Sequence, residues 1–131
     1  MSEQRVGPTT SLKEAATEFL RMVAVGRVRE AYGTFAGPGF RHHNPLFRGD
    51  AQSLMTAMEE NAVANPNKVL EVQRALQDGN LVAVHSRVMQ RPGDRGAALV
   101  HIFRFEGGLV AELWDIGQLV PEDSPNENGM F

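Results

Sequence analysis

The spacing of the apolar residues changes halfway along this chain of 131 residues. In the first half they recur every three or four positions, as on an amphipathic helix, and in the second half they alternate with a period near two, as on strands. Because helices and sheets each bury one apolar side, helices followed by strands indicate an α+β fold in which the helices cover an antiparallel sheet. If the sheet curves strongly, a pocket remains between the two layers.

Three helices are predicted in the first half. Ser11 and Glu14 have the spacing of a capping box, in which each side chain accepts a backbone N–H at the helix start. Asp50 is an N-cap residue by type, and Gly and Pro residues mark the helix ends, since neither continues a helix well. The expected helices cover residues 11–25, Val28–Phe35 up to the Gly37-Pro38-Gly39 stop, and the segment from Asp50 to the Asn65-Pro66 stop.

Four strands rich in Val, Leu, Ile and Phe are predicted in the second half. They are Val69–Gln77, Leu81–Gln90, Ala97–Glu106 and Leu109–Gln118. Short segments with Gly, Asn and Pro between them supply the turns of an antiparallel meander. We expect one domain over residues 1–131, with flexible tails at 1–9 and 121–131, although Met130 and Phe131 are apolar enough to dock.

Composition excludes several classes of function. Thirteen Lys and Arg against sixteen Asp and Glu give a net charge of −3 without a basic cluster, so nucleic acid is not an expected partner. The chain has no cysteine, which excludes disulfides, thiolate nucleophiles and Cys-based zinc sites. It shows neither a signal-peptide pattern nor about 18 consecutive apolar residues, so we expect a soluble cytoplasmic protein with no membrane partner.

Polar residues within apolar surroundings are the informative positions, because burying an unpaired polar group costs about 1–3 kcal/mol. His85, His101 and Asp115 lie in predicted strands, and His43 lies in the loop before the third helix. All four could meet in one cavity. The structural alternative is that each histidine is a hydrogen-bonded strand residue and that Asp115 pairs with an arginine on a solvated face. The histidines lack HxH or HxxxH spacing, so no metal is expected.

The register of the last hairpin decides whether Asp115 reaches such a cavity. If the glycines at 107–108 form a two-residue turn, His101 lies opposite Trp114 and Asp115 points to the other face. If Gly108 is instead a bulge glycine, the pairing shifts by one residue and Asp115 joins His101. The sequence leaves both registers open.

Several short motifs follow one another in a characteristic order. They are Phe40-Arg41-His42-His43-Asn44-Pro45 with Gly49, the segment from Asp78 to Val88, the segment from Ile102 to Gly108, and Glu112-Leu113-Trp114-Asp115. Their order and spacing resemble the SnoaL-like polyketide cyclases, a family of the nuclear-transport-factor-2-like superfamily that also includes ketosteroid isomerase. The resemblance covers nearly the whole chain.

This resemblance implies a cone-shaped α+β fold in which a curved sheet wraps a long helix and encloses a mostly apolar pocket. Cyclases of the family close a ring by intramolecular aldol condensation, with an acidic residue as general acid/base and with no metal or organic cofactor. The matching acid is Asp115. The His-Asn-Pro of the family matches His43, Asn44 and Pro45, and its strand histidine matches His85.

Two positions depart from the family pattern. Relatives often have Asp where this chain has His101, and His where it has Leu113, so the proton-transfer groups of the pocket are altered. The resemblance also implies a homodimer, for which outward-facing strand residues are the expected interface. Those residues are Val82, Val84, Val100 and Ile102.

We therefore predict an aldol cyclase, or a related acid/base enzyme, acting on a small hydrophobic carbonyl compound. An apolar pocket desolvates a carboxylate and brings it closer to the pH at which proton transfer is efficient, and a histidine can donate to the developing oxyanion. Because a fold does not fix a function, a non-catalytic ligand-binding module, an isomerase or hydrolase, and a purely structural dimer are the alternatives. The expected site residues are Asp115, His43, His85 and His101 for catalysis, and Asn44, Arg87, Phe103 and Trp114 for ligand binding.

Overall fold

A computed structural model describes residues 10–131, so the predicted tail at residues 1–9 lies outside the described residues. The elements follow in the order α1 (Leu12–Ala24), α2 (Val28–Phe35), β1 (Ala36–His42), α3 (Ala51–Ala64), β2 (Val69–Asp78), β3 (Leu81–Met89), β4 (Ala97–Glu106) and β5 (Leu109–Leu119). The α+β class is confirmed, and the three predicted helices and four predicted strands agree with the structure to within one residue at either end. None of the described helices is long and apolar enough to cross a membrane.

Helix α1 begins where its capping box predicts. The Ser11 side chain accepts from the Glu14 N–H, and the Glu14 side chain accepts from the Ser11 N–H in return. The buried side of the helix includes Phe19, whose ring packs edge-on against those of Tyr32 in α2 and Phe103 in β4. These aromatic contacts fix the helical layer on the sheet, since edge-to-face pairs stabilise a core beyond the area they bury.

Strand β1 is an element that the sequence does not predict, because its Ala-Gly-Pro-Gly start reads as a helix stop and a turn. It forms an edge of the sheet and runs parallel to β5, with His42 beside Leu113. An edge position tolerates Pro38, which lacks an N–H to donate. A Cβ on Gly37 would lie 3.4 Å from the Val110 carbonyl oxygen, so glycine permits the close approach of the two strands.

The five strands lie in the order β1-β5-β4-β3-β2, and the predicted antiparallel meander is confirmed for β2 to β5. Two irregularities interrupt its ladders, one between Val72 and Arg74 on β2 and one opposite Arg104 and Phe105 on β5. Each adds one residue to its strand and increases the local twist, which contributes to the curvature of the sheet.

The inner face of the sheet, the one that packs on the helices, carries the core. Val82, Val84, Phe103 and Val110 are all fully buried there. The prediction that Val82 and Val84 form an outward dimer interface is therefore wrong. Alternation along β3 instead turns their neighbours, including His85, to the opposite side, which we call the outer face.

The last hairpin combines parts of both predicted registers. Glu106 pairs with Leu109 across a two-residue glycine turn, as in the first alternative, but an extra residue, Ala111, shifts the pairing further along β5. His101 is consequently opposite Asp115, so the two residues share a face, as the second alternative expected. The bulge lies at Ala111 and not at Gly108, and it turns Asp115 to the inner face.

Candidate active site

A cavity of about 560 Å³ lies between the inner face of the sheet, α1 and α3. Most of its wall is apolar, with Leu20 and Val23 from α1, Met58 from α3, and Leu70 and Leu99 from the sheet. Ligand pockets in proteins commonly enclose about 300–1,000 Å³ with mostly apolar walls and a few polar groups. A second depression, of about 620 Å³, is lined largely by exposed charged and threonine side chains of α1 and α2, and it lacks such an apolar interior.

The main polar feature of the cavity wall is the pair formed by His101 and Asp115. The Nε2 atom of His101 lies 3.4 Å from Oδ1 of Asp115, and the two side chains are 11% and 18% exposed. Burial lowers the pKa of His101, and the Asp115 charge offsets part of that shift. The imidazole is therefore neutral near pH 7. Its Nδ1 atom is buried and makes no hydrogen bond to any of residues 10–131.

Asn44 holds the second oxygen of the carboxylate. Its Nδ2 donates to Oδ2 of Asp115 over 2.8 Å, while its Oδ1 accepts from the Leu46 N–H over 3.0 Å. The second bond determines the orientation of the amide group, so that the NH₂ faces Asp115. Pro45, the residue between, also lines the cavity.

The loop that carries Asn44 is itself anchored by a buried histidine, His42. The Asn44 N–H donates to His42 Nδ1 over 3.0 Å, so the ring carries its proton on Nε2, which donates to the Arg48 carbonyl over 2.6 Å. Both ring nitrogens are thus used within the loop. His42 is a structural residue that positions the Asn44 side chain.

Tyr32 is a further polar residue near the carboxylate that sequence reasoning missed. Its side chain is buried against the rings of Phe19 and Phe40. Burial, together with the negative charge of Asp115, raises the pKa of its phenol well above the usual range. The phenol therefore stays protonated at any physiological pH.

His43 lies on the outer face and not in the cavity. Its Nε2 is 2.6 Å from Oε2 of Glu112, its ring stacks on Trp114 with centroids 5.0 Å apart, and Glu112 also contacts Arg41 and Arg104 at 3.2 Å each. We call these five residues the outer cluster. The hydrogen bond to His43 comes first among the contacts that lower the pKa of Glu112 to about 2, followed by those to Arg41 and Arg104.

His85 and Arg87 also lie on the outer face, where the end of the chain covers them. The Phe131 ring stacks on His85 with centroids 5.9 Å apart, and the Arg87 guanidinium carbon lies 5.1 Å from the centre of the same ring. Arg74 is a hydrogen-bond partner of His85 from β2. Met130 lies in the same shallow groove as His85. The docking of the last two residues explains these two side chains without a ligand.

The expectation that the four acid/base residues meet in one cavity is therefore wrong. Of the eight predicted site residues, Asp115, His101 and Asn44 line it. Phe103 is fully buried in the core beneath the cavity wall, and Trp114 belongs to the outer cluster. The remaining three, His43, His85 and Arg87, are on the outer face. Within residues 10–131, no group of three potential ligands among His, Asp and Glu could hold a metal ion.

Three polar residues of the cavity were not predicted from the sequence: Asn61, Lys68 and Gln90. Asn61 lies near the end of α3, Lys68 precedes β2 and Gln90 follows β3. Polar side chains at the ends of elements are normally solvated, so nothing in the local pattern distinguishes these from surface residues. Only the folded arrangement places them at a common cavity.

Comparison with known proteins identifies the family. Residues 16–113 match the sequence profile of the SnoaL-like domain. The chain belongs to the SnoaL-like domain family. The matched range includes Asn44 and His101 and ends two residues before Asp115. A search of curated proteins found no match.

Several solved structures have a similar fold. An NTF2-like protein of unknown function from Cytophaga hutchinsonii superposes with a TM-score of 0.69 at 16% identity, covering 90% of this chain and 95% of that one. A protein provisionally named a polyketide cyclase, from Acidithiobacillus ferrooxidans, gives 0.68 at 19% identity, with 86% and 92% covered. One provisionally named a ketosteroid isomerase, from Kribbella flavida, gives 0.67 at 21%, with 88% and 83% covered. At these identities the similarity shows the fold.

Proposed function

We propose that this SnoaL-like domain is an acid/base enzyme that acts on a small hydrophobic carbonyl compound, by intramolecular aldol condensation or a closely related proton transfer. The observation that carries the proposal is the Asp115 carboxylate, which lines an apolar cavity with one oxygen on Asn44 and the other 3.4 Å from a neutral histidine. Structural neighbours named as a cyclase and as an isomerase, both provisionally, are compatible with this chemistry.

Asp115 is the proposed general base. In an aldol step it removes a proton from the carbon next to a substrate carbonyl: the C–H bond breaks, a carboxyl O–H forms, and the electron pair moves into an enolate. The enolate carbon then attacks the second carbonyl of the same molecule and forms the new C–C bond. Asp115 then returns its proton to the resulting alkoxide. The aldol addition therefore involves no net gain or loss of protons.

The two neighbours of Asp115 have different roles in this scheme. Asn44 orients the carboxylate through a neutral hydrogen bond. His101 is neutral because it is buried, so it does not form a full ion pair with Asp115. A full ion pair would make the carboxylate a weaker base. A neutral imidazole can still donate one N–H to the enolate oxygen, where a preoriented donor is most effective.

The homodimer also remains a proposal, and the outer face is where we place it. Ile116 is 55% exposed there, close to the half-buried side chains of Val100 and Ile102. An apolar group of this kind on a sheet face is typical of an interface. Light scattering coupled to gel filtration measures the molar mass directly, and Ile116→Glu should shift a dimer towards the monomer.

The enzymatic proposal is tested by combining binding with product analysis. Melting curves are recorded with aromatic polyketide-like compounds, steroid-like ketones and β-keto esters, since a ligand of the native state raises the melting temperature. Each compound that raises it is then incubated with the protein and examined by chromatography and mass spectrometry. We expect a ring-closed product of unchanged mass, or of a mass lower by one water. Recovery of every bound compound unchanged would favour a binding module instead.

A further inference from the structure

The polar residues of the cavity form two separate groups. His101 and Asp115 face each other in the middle of β4 and β5, whereas Lys68 and Gln90 lie where β2 begins and β3 ends. His101 is opposite Val84, and Val88 is four residues further along β3, so the groups are separated by about 13 Å or more along the strands. Apolar side chains, among them Leu99, line the cavity between them.

Lys68 is the cationic member of the second group. It is partly buried, and desolvation lowers the pKa of its ammonium group without any nearby carboxylate to offset the shift. Its hydrogen-bond partner is the Oδ1 atom of Asn61, a neutral group. Among residues 10–131 no Asp or Glu forms an ion pair with it. Lys68 is thus a partly buried charge whose partner among these residues is neutral, and an anion from outside the chain would supply the missing ion pair.

Gln90 provides an independent observation at the same end of the cavity. Its Oε1 atom is buried and makes no hydrogen bond within the described part of the chain. Buried polar atoms in folded proteins nearly always have a partner, and exceptions occur at functional sites. Two polar groups with incomplete contacts thus line one end of a mostly apolar cavity.

We propose that the cavity binds an elongated apolar carboxylic acid, with the carboxylate on Lys68 and the reactive carbonyl at Asp115. Lys68 is then a specificity-determining residue, and the carboxylate supplies the anion that the chain itself does not. The Oε1 atom of Gln90 accepts a hydrogen bond from a donor group that the ligand carries beside the acid. The position of the carbonyl rests on the proposed function, whereas the preference for an acid is a property of binding alone.

A matched pair of probes tests the preference. 4′-Acetylbiphenyl-4-carboxylate is a rigid ketone with a carboxylate at its far end, and the corresponding primary carboxamide has nearly the same shape without the charge. Dissociation constants are measured for both by isothermal titration calorimetry at constant ionic strength. We expect the wild-type protein to prefer the acid by about tenfold or more, as a hydrogen bond between charged groups provides.

The chain offers a natural control, because Lys13 and Lys68 are its only lysines. Lys68→Met should abolish the preference, because it weakens binding of the acid and leaves binding of the amide nearly unchanged. Lys13→Met, on the exposed side of α1, should keep the preference in full. If Lys68 instead serves only to stabilise the C-terminal end of α3, Lys68→Met will lower the melting temperature and leave the ratio unchanged. That result would overturn the proposal, as would equal affinity of the wild type for both probes or binding of neither.

Asp115→Asn separates this inference from the proposed function. The variant should retain the preference for the acid, because Lys68 is unaffected. If no compound is ever turned over but the preference is present and depends on Lys68, the enzymatic proposal fails and the carboxylate site stands. If turnover depends on Asp115 but neutral ketones bind as well as acids, the enzymatic proposal stands and the carboxylate site fails.

Discussion

The two faces of β5 each place a carboxylate beside a histidine, and the two pairs lie in different electrostatic surroundings. On the outer face, Glu112 contacts His43 at 2.6 Å and two arginines, and its pKa falls to about 2 although its side chain is only 9% exposed. On the inner face, Asp115 is 18% exposed, has a neutral amide as its close partner and lies beside a neutral histidine. Charged partners, more than burial, distinguish the two carboxylates, since Glu112 contacts two arginines and Asp115 contacts neutral side chains.

The largest effect that would separate the two pairs is on turnover. Asp115→Asn should reduce the rate of product formation by about 10²–10⁴-fold, the usual contribution of a general acid/base group, because an amide cannot accept the substrate proton. The matched change on the outer face, Glu112→Gln, should alter the rate by less than about threefold, since Glu112 does not line the cavity. Initial rates for both variants give the comparison. Equal losses would remove the distinction between the faces.

The thermal stability of the protein should depend more on Glu112 than on Asp115, the reverse of the order expected for turnover. Glu112→Gln should lower the melting temperature by several degrees, because His43 and Arg41 lose their anionic partner and Arg104 keeps only Glu106. Asp115→Asn should leave it unchanged or raise it, as often happens when a functional group is neutralised. Circular dichroism melts at pH 7 and low salt measure both variants. A larger decrease for Asp115→Asn would mean that the inner pair is structural.

The low pKa of Glu112 predicts where that stabilisation disappears with pH. The folded value, about 2, is below the ordinary value of 4.5, so the unfolded state binds more protons between them and stability falls as the pH is lowered through that range. The difference in melting temperature between the wild type and Glu112→Gln should be constant above about pH 5 and shrink from there towards pH 2. A difference that persists undiminished at pH 2.5 would contradict the assignment.

The smallest predicted effect concerns the ionisation of His101. Burial lowers its pKa below 6.5 and the Asp115 charge raises it in part, so removing that charge in Asp115→Asn should lower it further. NMR titration of the imidazole Cε1–H signal measures this shift directly. An unchanged or higher pKa in the variant would mean that the two groups are not coupled across their 3.4 Å contact.

Local chemistry explains which parts of the fold could be predicted from the sequence. The capping box at Ser11 and the N-cap at Asp50 act over three residues, and both occur as predicted. Strand β1 could not be found in this way, because pairing with β5, which is distant in sequence, overrides its Gly-Pro-Gly sequence. Side-chain facing along β3 was predicted wrongly, since Val82 and Val84 were expected to face outwards and are fully buried. Alternation shows which residues share a face, but not which of the two faces the helices cover.

The site was harder to predict than the fold. Asp115, His101 and Asn44 were identified because polar residues in apolar surroundings are conspicuous, but which of them meet depends on register and on the face each strand buries. Lys68 was missed because a lysine after a turn is ordinarily solvated. Its exposure depends on how α3 and β2 close around the cavity, which no short segment encodes.

The extra residue at Ala111 has a consequence for the evolution of this fold. Because the bulge takes up that residue, the pairing on either side of it is regular, with Val110 opposite Phe105 and Glu112 opposite Arg104. Deleting Ala111 would therefore leave Asp115 opposite His101 on the inner face. Straightening the strand with all its residues kept would instead place Trp114 opposite His101 and turn Asp115 outwards. The gene can thus lose one codon at this point and keep an acidic interior, whereas loss of the bulge alone would exchange the acid for an aromatic side chain.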